Sequence, residues 1–169
     1  GVTLKRCLEV CAVLRDGGLE TPIVFMGYYN PLLSFGLREF TVQARDAGLD
    51  GLIVADLPPE EADPLKEECR RCDIDLICLL APTSTDERIA AACAMASGFV
   101  YCVSLAGVTG ARDSVSPAAF GLVERVRGHT FLPIAVGFGL SRPEHIAAVG
   151  EWADAAIVGS ALVDAIDNA

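Results

Sequence analysis

Six short, almost purely apolar runs with strand-favouring composition punctuate this chain: Pro22–Met26, Gly51–Ala55, Asp75–Leu80, Phe99–Ser104, Leu132–Gly137 and Ala155–Gly159. None shows the apolar–polar alternation of a strand with one wet face, so each suits a strand buried on both faces of a parallel sheet. Helix-patterned segments lie between them. Thr3–Arg15 puts Leu4, Cys7, Leu8, Cys11 and Leu14 on one face and stops at Gly17-Gly18. Leu32–Ala47 reads as one helix carrying Phe40, Val42 and Ala44, followed by Gly48. Glu60–Arg71, Thr85–Ala96, Pro117–Arg127, Pro143–Val149 and Ser160–Asp167 continue the series, and Ser84-Thr85-Asp86-Glu87 fits a Ser-x-x-Glu capping box. Strands alternating with helices imply βαβ crossovers and a parallel α/β architecture.

Two parallel architectures compete. A doubly wound sheet carries G-x-G-x-x-G after its first strand, and Met26-Gly27-Tyr28-Tyr29 has nothing similar. A (β/α)8 TIM barrel carries a Gly-rich phosphate site after its last two strands, beside a helix N-terminus. Here Ala135-Val136-Gly137-Phe138-Gly139 and Ile157-Val158-Gly159-Ser160 each close a strand and open a helix. On that count the six runs are strands three to eight of the barrel. The 169 residues agree, since a complete barrel takes ~250. The expectation is a single partial barrel domain over residues 1–169, opening with the helix after strand two, with both ends looking cut.

Composition narrows the partners. A hydrophobic fraction of 52% excludes intrinsic disorder. A formal charge of −10 gives no footprint for nucleic acid or an anionic membrane. No apolar run reaches the ~18 residues of a membrane span. The opening residues are helix-patterned and unlike a signal peptide. Seven cysteines, mostly within apolar segments, read as small hydrophobes in a reducing compartment. Cytoplasm is the expected location, and a plastid stroma fits equally. Cys69-Arg70-Arg71-Cys72 has no second pair for zinc and sits at a polar helix end, so a packing role is expected.

Gly137, Gly139 and Gly159 leave main-chain N–H groups open to an anion, and Ser160 adds a hydroxyl at a helix start. Ser104–Arg112, with two glycines around Thr109, reads as a lid able to close over a ligand. Tyr28 and Tyr29 end the first run, where an aromatic could line a pocket, and packing under the next helix is equally open to at least one of them. Asp56 is the best-placed carboxylate, as an acid or base or as a helix-capping group. His129 and His145 are expected in helix-connecting segments at the opposite barrel end, without a catalytic role. No Ser–His–Asp order, metal-ligand cluster or Walker loop is present.

Taken as a set, GYYNPLLSFG, GLIVADLPPEE, APTSTDERI, FVYCVSLAGVTGAR, PIAVGFGLSRPEH and AIVGSALVDAI resemble the tryptophan synthase alpha subunit family, in unbroken order from Gly1 to Ala169. The resemblance implies a barrel lyase that cleaves indole-3-glycerol phosphate to indole and glyceraldehyde 3-phosphate by a retro-aldol reaction. It implies no cofactor of its own, pyridoxal phosphate belonging to a beta subunit that receives the indole. By motif, Gly110, Gly139, Gly159 and Ser160 match the family's phosphate cradle. Tyr28, Tyr101, Thr109 and Phe138 match positions around the indole or lid. Asp56, Asn30 and Pro58 match positions that couple to or touch the beta subunit.

The resemblance also implies a gap. The family's catalytic Glu closes strand two and its catalytic Asp follows on the next loop, and both positions precede Gly1. Cleavage needs a base on the glyceryl hydroxyl, a proton donor at the indole carbon and a carboxylate for the indole N–H. No residue here replaces them, so the chain is expected to be inactive alone. Leu105 stands where many relatives carry a polar residue. The alternatives are a stand-alone indole-glycerol phosphate lyase and a non-catalytic piece that only engages a beta-type partner. Another phosphate barrel, such as an isomerase of phosphoribosyl compounds, leaves GVTGAR and the YYNP turn unexplained.

Overall fold

The computed structural model describes residues 1–104, 116–137 and 139–169. They form two compact units, Gly1–Ile77 with Met95–Gly98, and Cys78–Ala94 with Phe99–Ala169.

In the first unit α1 (Leu4–Asp16) is capped by Thr3, whose hydroxyl accepts from the Arg6 N–H at 3.2 Å, and it ends at Gly17. Leu8 and Cys11 face the core, whereas Leu14 of the expected stripe stays exposed. β1 (Val24–Gly27), β2 (Gly51–Val54) and the first half of β3 (Asp75–Leu80) pair in parallel, with Val24 opposite Gly51 and Gly51 opposite Asp75. The helix expected over Leu32–Ala47 is two helices, α2 (Tyr29–Phe35) and α3 (Leu37–Asp46). Gly36 breaks it at a φ of 95°, a conformation open to glycine and strained for other residues. The segment expected over Glu60–Arg71 likewise divides, into a 3-10 turn Pro59–Glu61 and α4 (Asp63–Arg71).

Phe40, Leu52, Leu65 and Leu76 sit at the centre of this core, each contributing about 1.5–3 kcal/mol through burial. Arg15 closes its lower side. Its guanidinium donates to the carbonyls of Gly48 (2.8 Å), Leu19 (2.6 Å) and Thr21 (2.9 Å) and pairs with Asp50. Asp50 also accepts from the Ile23 N–H at 2.6 Å. One side chain thereby ties the end of α1 to the entrances of β1 and β2.

In the second unit the later half of β3, β4 (Val100–Val103), β5 (Ile134–Gly137) and β6 (Ala155–Ile157) are parallel neighbours in sequence order. β3 continues from one unit into the other, which gives the order β1 to β6. Every described strand is followed by a helix: α5 (Asp86–Met95), α6 (Pro117–Arg127), α7 (Pro143–Gly150) and α8 (Ser160–Asp167) here. The capping box read at Ser84 is displaced by one residue. Thr85 Oγ1 accepts from the Arg88 N–H at 3.3 Å, while Ser84 Oγ accepts from Ala81 N–H at 3.1 Å and closes the turn after β3. Arg125 braces that turn through the Ser84 carbonyl (2.5 Å) and Asp86 (2.8 Å).

Candidate functional site

In a parallel βα unit the ligand-facing residues come from the ends of the strands and the turns that follow. In the second unit β5 and β6 end in register, Gly137 opposite Ile157. The two following turns therefore leave adjacent strands at the same level. Two residues on from each strand end stand Gly139, with a φ of 80°, and Gly159, the N-cap of α8. Gly139, Gly159 and Ser160 are all solvent-exposed, and the place a Cβ would take at Gly159 is open space. The Gly159 carbonyl accepts from Leu162 (2.9 Å) and Val163 (3.3 Å). The Ser160 and Ala161 amides lie ahead of that ladder, as first-turn donors do. Such donors and the helix dipole suit an anion.

Gly137, read from sequence as another bare amide, has a different reason for being glycine. A Cβ there would lie 2.7 Å from the Tyr101 hydroxyl and 2.8 Å from Ile157 Cβ. Tyr101, on β4, is buried, and burial raises its phenol above the ordinary range. Its ring lies against the end of β5 because no side chain occupies Gly137. The Ser104 N–H donates to the Gly137 carbonyl at 2.8 Å, tying β4's exit to β5's.

In the first unit Gly27 ends β1, and Tyr28 is the N-cap of α2. Tyr28 is exposed, whereas Tyr29 packs against the core, the packing role open to at least one of them. Burial, and then the Glu61 carboxylate, push the Tyr29 phenol up. Asp56 is exposed, and its Oδ1 accepts from the Tyr29 N–H at 2.7 Å. Of the roles open to it, capping is the one this geometry serves. Asn30 is exposed in the first turn of α2, and half-buried Pro58 leads into the 3-10 turn. An apolar groove of about 700 Å³ runs beside β1, lined by Leu4, Phe25, Tyr28, Leu32 and Phe35.

Gly110 and Thr109, with the rest of the expected lid beyond Ser104, lie outside the described residues, as does Phe138. His129 lies in the connection after α6, as expected. His145 does not: it sits in the first turn of α7, the helix that follows β5, and is buried. The helix read over Pro143–Val149 already contains His145, and its burial is what the sequence did not announce. Cys69 and Cys72 are buried, and burial pushes the Cys69 thiol up to about 12, a packing cysteine and not a reactive one. Among the described residues no cluster of His, Cys, Asp and Glu is arranged to hold a metal.

The model of the family described as "Tryptophan synthase alpha chain" matches residues 1–169. The tryptophan synthase alpha chain of Roseiflexus castenholzii is 52% identical over 168 residues, covering 99% of this chain and 64% of that protein. That of Caulobacter vibrioides is 49% identical over 169 residues, covering 100% and 62%. This chain thus spans less than two thirds of the length of these relatives. Among solved structures, the tryptophan synthase α2β2 complex of Pyrococcus furiosus contains a chain 39% identical with a TM-score of 0.91, covering 99% of this chain and 68% of that one. Tryptophan synthase from Mycobacterium tuberculosis in an open form gives 36% identity and a TM-score of 0.88, covering 99% and 63%. The fold class is α/β, the six parallel βα steps of a partial TIM barrel. With the family model matching every residue, the chain belongs to the tryptophan synthase alpha chain family.

Proposed function

We propose that this chain is the phosphate-gripping and indole-lining part of a tryptophan synthase alpha chain, a carbon–carbon lyase that cleaves indole-3-glycerol phosphate to indole and glyceraldehyde 3-phosphate. The observation that carries the reading is the in-register exit of β5 and β6, which sets the Gly139 turn and the first turn of α8 side by side. Gly139, Gly159 and Ser160 hold the phosphate through main-chain amides and the Ser160 hydroxyl, with Gly110 joining from the loop after β4. By resemblance to the family, Tyr28, Tyr101, Thr109 and Phe138 match positions around the indole ring or lid. Asp56, Asn30 and Pro58 serve the contact with a beta chain, as an alpha chain within an α2β2 assembly would require. The alpha part needs no cofactor for a retro-aldol step, since the indole ring itself accepts the electron pair and the proton. Pyridoxal phosphate belongs to the beta partner.

As it stands, this chain supplies binding without chemistry. Asp56, the carboxylate singled out at a strand end, is engaged with a main-chain amide, whereas cleavage requires a free base and a proton donor. A cytoplasmic setting fits the unpaired cysteines, and among the described residues no helix is long and apolar enough to cross a membrane. The test is to titrate the purified chain with glyceraldehyde 3-phosphate and, separately, to follow indole release from indole-3-glycerol phosphate. Binding that Ser160→Ala weakens, with no indole formed, is the expected result. Measurable turnover, or binding indifferent to Ser160, overturns the reading.

A further inference from the structure

We propose that His145 is a positioning residue for the anion-binding turn after β5, a role that rests on the phosphate reading above. His145 is the third residue of α7 and only 7% exposed. The helix N-cap is Arg142, whose side chain makes no capping hydrogen bond. Instead the Ser141 N–H, one residue further out, donates to His145 Nδ1 at 3.5 Å. The third helical residue reaching back to an amide ahead of the helix parallels the second half of a capping box, shifted one residue outward and with an imidazole in place of Glu or Gln.

Ser141 stands two residues after Gly139, and Leu140 between them is buried. The stretch that follows Gly139, whose φ is 80°, is therefore held by the buried Leu140 side chain and the tethered Ser141 amide. The other ring nitrogen shows what this arrangement gives up. A neutral imidazole that accepts at Nδ1 carries its hydrogen on Nε2. Nε2 is buried with no hydrogen-bond partner among the described residues. A buried donor left unpaired is unfavourable, and a leucine of similar bulk would avoid it. Packing alone is thus a poor reason for histidine here, and the gain lies at Nδ1, in the fixed Ser141 amide.

The experiment uses the nitrogen-15-labelled chain with inorganic phosphate as the probe. Long-range imidazole spectra are expected to show Nδ1 unprotonated and Nε2 protonated. Phosphate titrations then compare wild type with His145→Asn, which keeps an acceptor the same number of bonds from the backbone, and His145→Leu, which keeps bulk alone. The Asn variant is expected to hold wild-type affinity, and the Leu variant to bind about fivefold to tenfold more weakly, the loss of one ordinary hydrogen bond. Ser141 amide exchange should quicken in the Leu variant and recover in the Asn variant, while overall stability does not follow that order. A protonated Nδ1, or equal affinity and equal Ser141 exchange in all three proteins, overturns the proposal. If phosphate leaves the wild-type amides of Gly139 and Gly159 unmoved, the phosphate reading fails instead, and Ser141 exchange alone still decides the role of His145.

Discussion

Asp56 Oδ1 accepts the Tyr29 main-chain N–H at 2.7 Å, joining the turn after β2 to the first turn of α2 across 27 positions of sequence. Helix α2 has no capping side chain of its own, because its N-cap is Tyr28. A carboxylate from the neighbouring βα turn takes that place, satisfying an orphan amide at the positive end of the helix dipole. The same contact fixes where Tyr28 and Asn30 stand.

Removing the cap should therefore have both a thermodynamic and a local signature. Asp56→Ala is expected to cost about 1 kcal/mol, the usual value for a lost N-cap, and Asp56→Asn to recover most of it. Urea midpoints measure the first effect, and amide shifts of Tyr28 and Asn30 the second. Wild-type stability with unmoved shifts in the Ala variant would show that the cap holds nothing.

Gly137 and Tyr101 form a second coupled pair. A methyl group at Gly137 would press on the Tyr101 hydroxyl at 2.7 Å and on Ile157 Cβ at 2.8 Å. Gly137→Ala is expected to destabilise by about 1–3 kcal/mol through overpacking. Tyr101→Phe deletes the nearer obstacle, so the double variant should lose less than the two single variants together. A double-mutant cycle in urea measures this, and strict additivity would refute the contact.

How much of this was legible beforehand depends on how far each determinant lies along the chain. All six strands could be read because their runs are continuously apolar, such as Ile53-Val54 and Val100-Tyr101-Cys102. The expected burial on both faces holds mainly for β2 to β5, whereas β1 and β6 have only exposed and half-buried residues. The break at Gly36 could not, because Leu32 and Phe40 keep helical spacing across it and only the φ of 95° reveals the turn. The cap of α5 was misplaced by one residue because Ser84 and Thr85 are both capping types, and the hydrogen bonds alone show that Thr85 takes the role. Asp56 stood out as a carboxylate at a strand end, yet its partner is an amide 27 residues away that no local pattern announces. Gly137 also carries a constraint that no local pattern shows, from a ring on another strand.

The cysteines predict a pH dependence. Burial pushes the Cys69 and Cys102 thiols up to about 12, against 9.0 for an ordinary cysteine. Between those values the unfolded chain has released these protons and the folded chain retains them, so the unfolded state binds fewer protons and stability falls as pH rises. Well below pH 9.0 both states keep these protons and this contribution is constant. Denaturant midpoints should therefore decline from pH 9 upward, and decline less steeply in Cys69→Ala or Cys102→Ala. At pH 8 a thiol reagent should modify only Cys7 quickly, the one cysteine that is not buried. Rapid modification of all seven in the native chain would contradict the burial.

The outer side of β1 predicts association. β1 stands at one end of the strand order, and no described strand pairs with its far edge. Met26 on this strand is 61% exposed, and the apolar groove lies beside it. At the other end of the order α8 buries none of its residues and exposes Leu162, Val163 and Ile166. An unprotected edge flanked by apolar side chains pairs with other chains. The net charge of −10 opposes that pairing by repulsion between copies. Salt screens the repulsion over ~10 Å at 0.1 M and leaves apolar contact intact, so association should strengthen as salt rises. Sedimentation velocity across a concentration series in low and high salt measures this. Met26→Lys places a charge on the edge and should shift the chain toward monomer without unfolding it, since Met26 contributes little to the core. A single monomeric boundary under all conditions would remove the edge as a contact surface, and dissociation on adding salt would mean that charge, and not the apolar edge, holds the copies together.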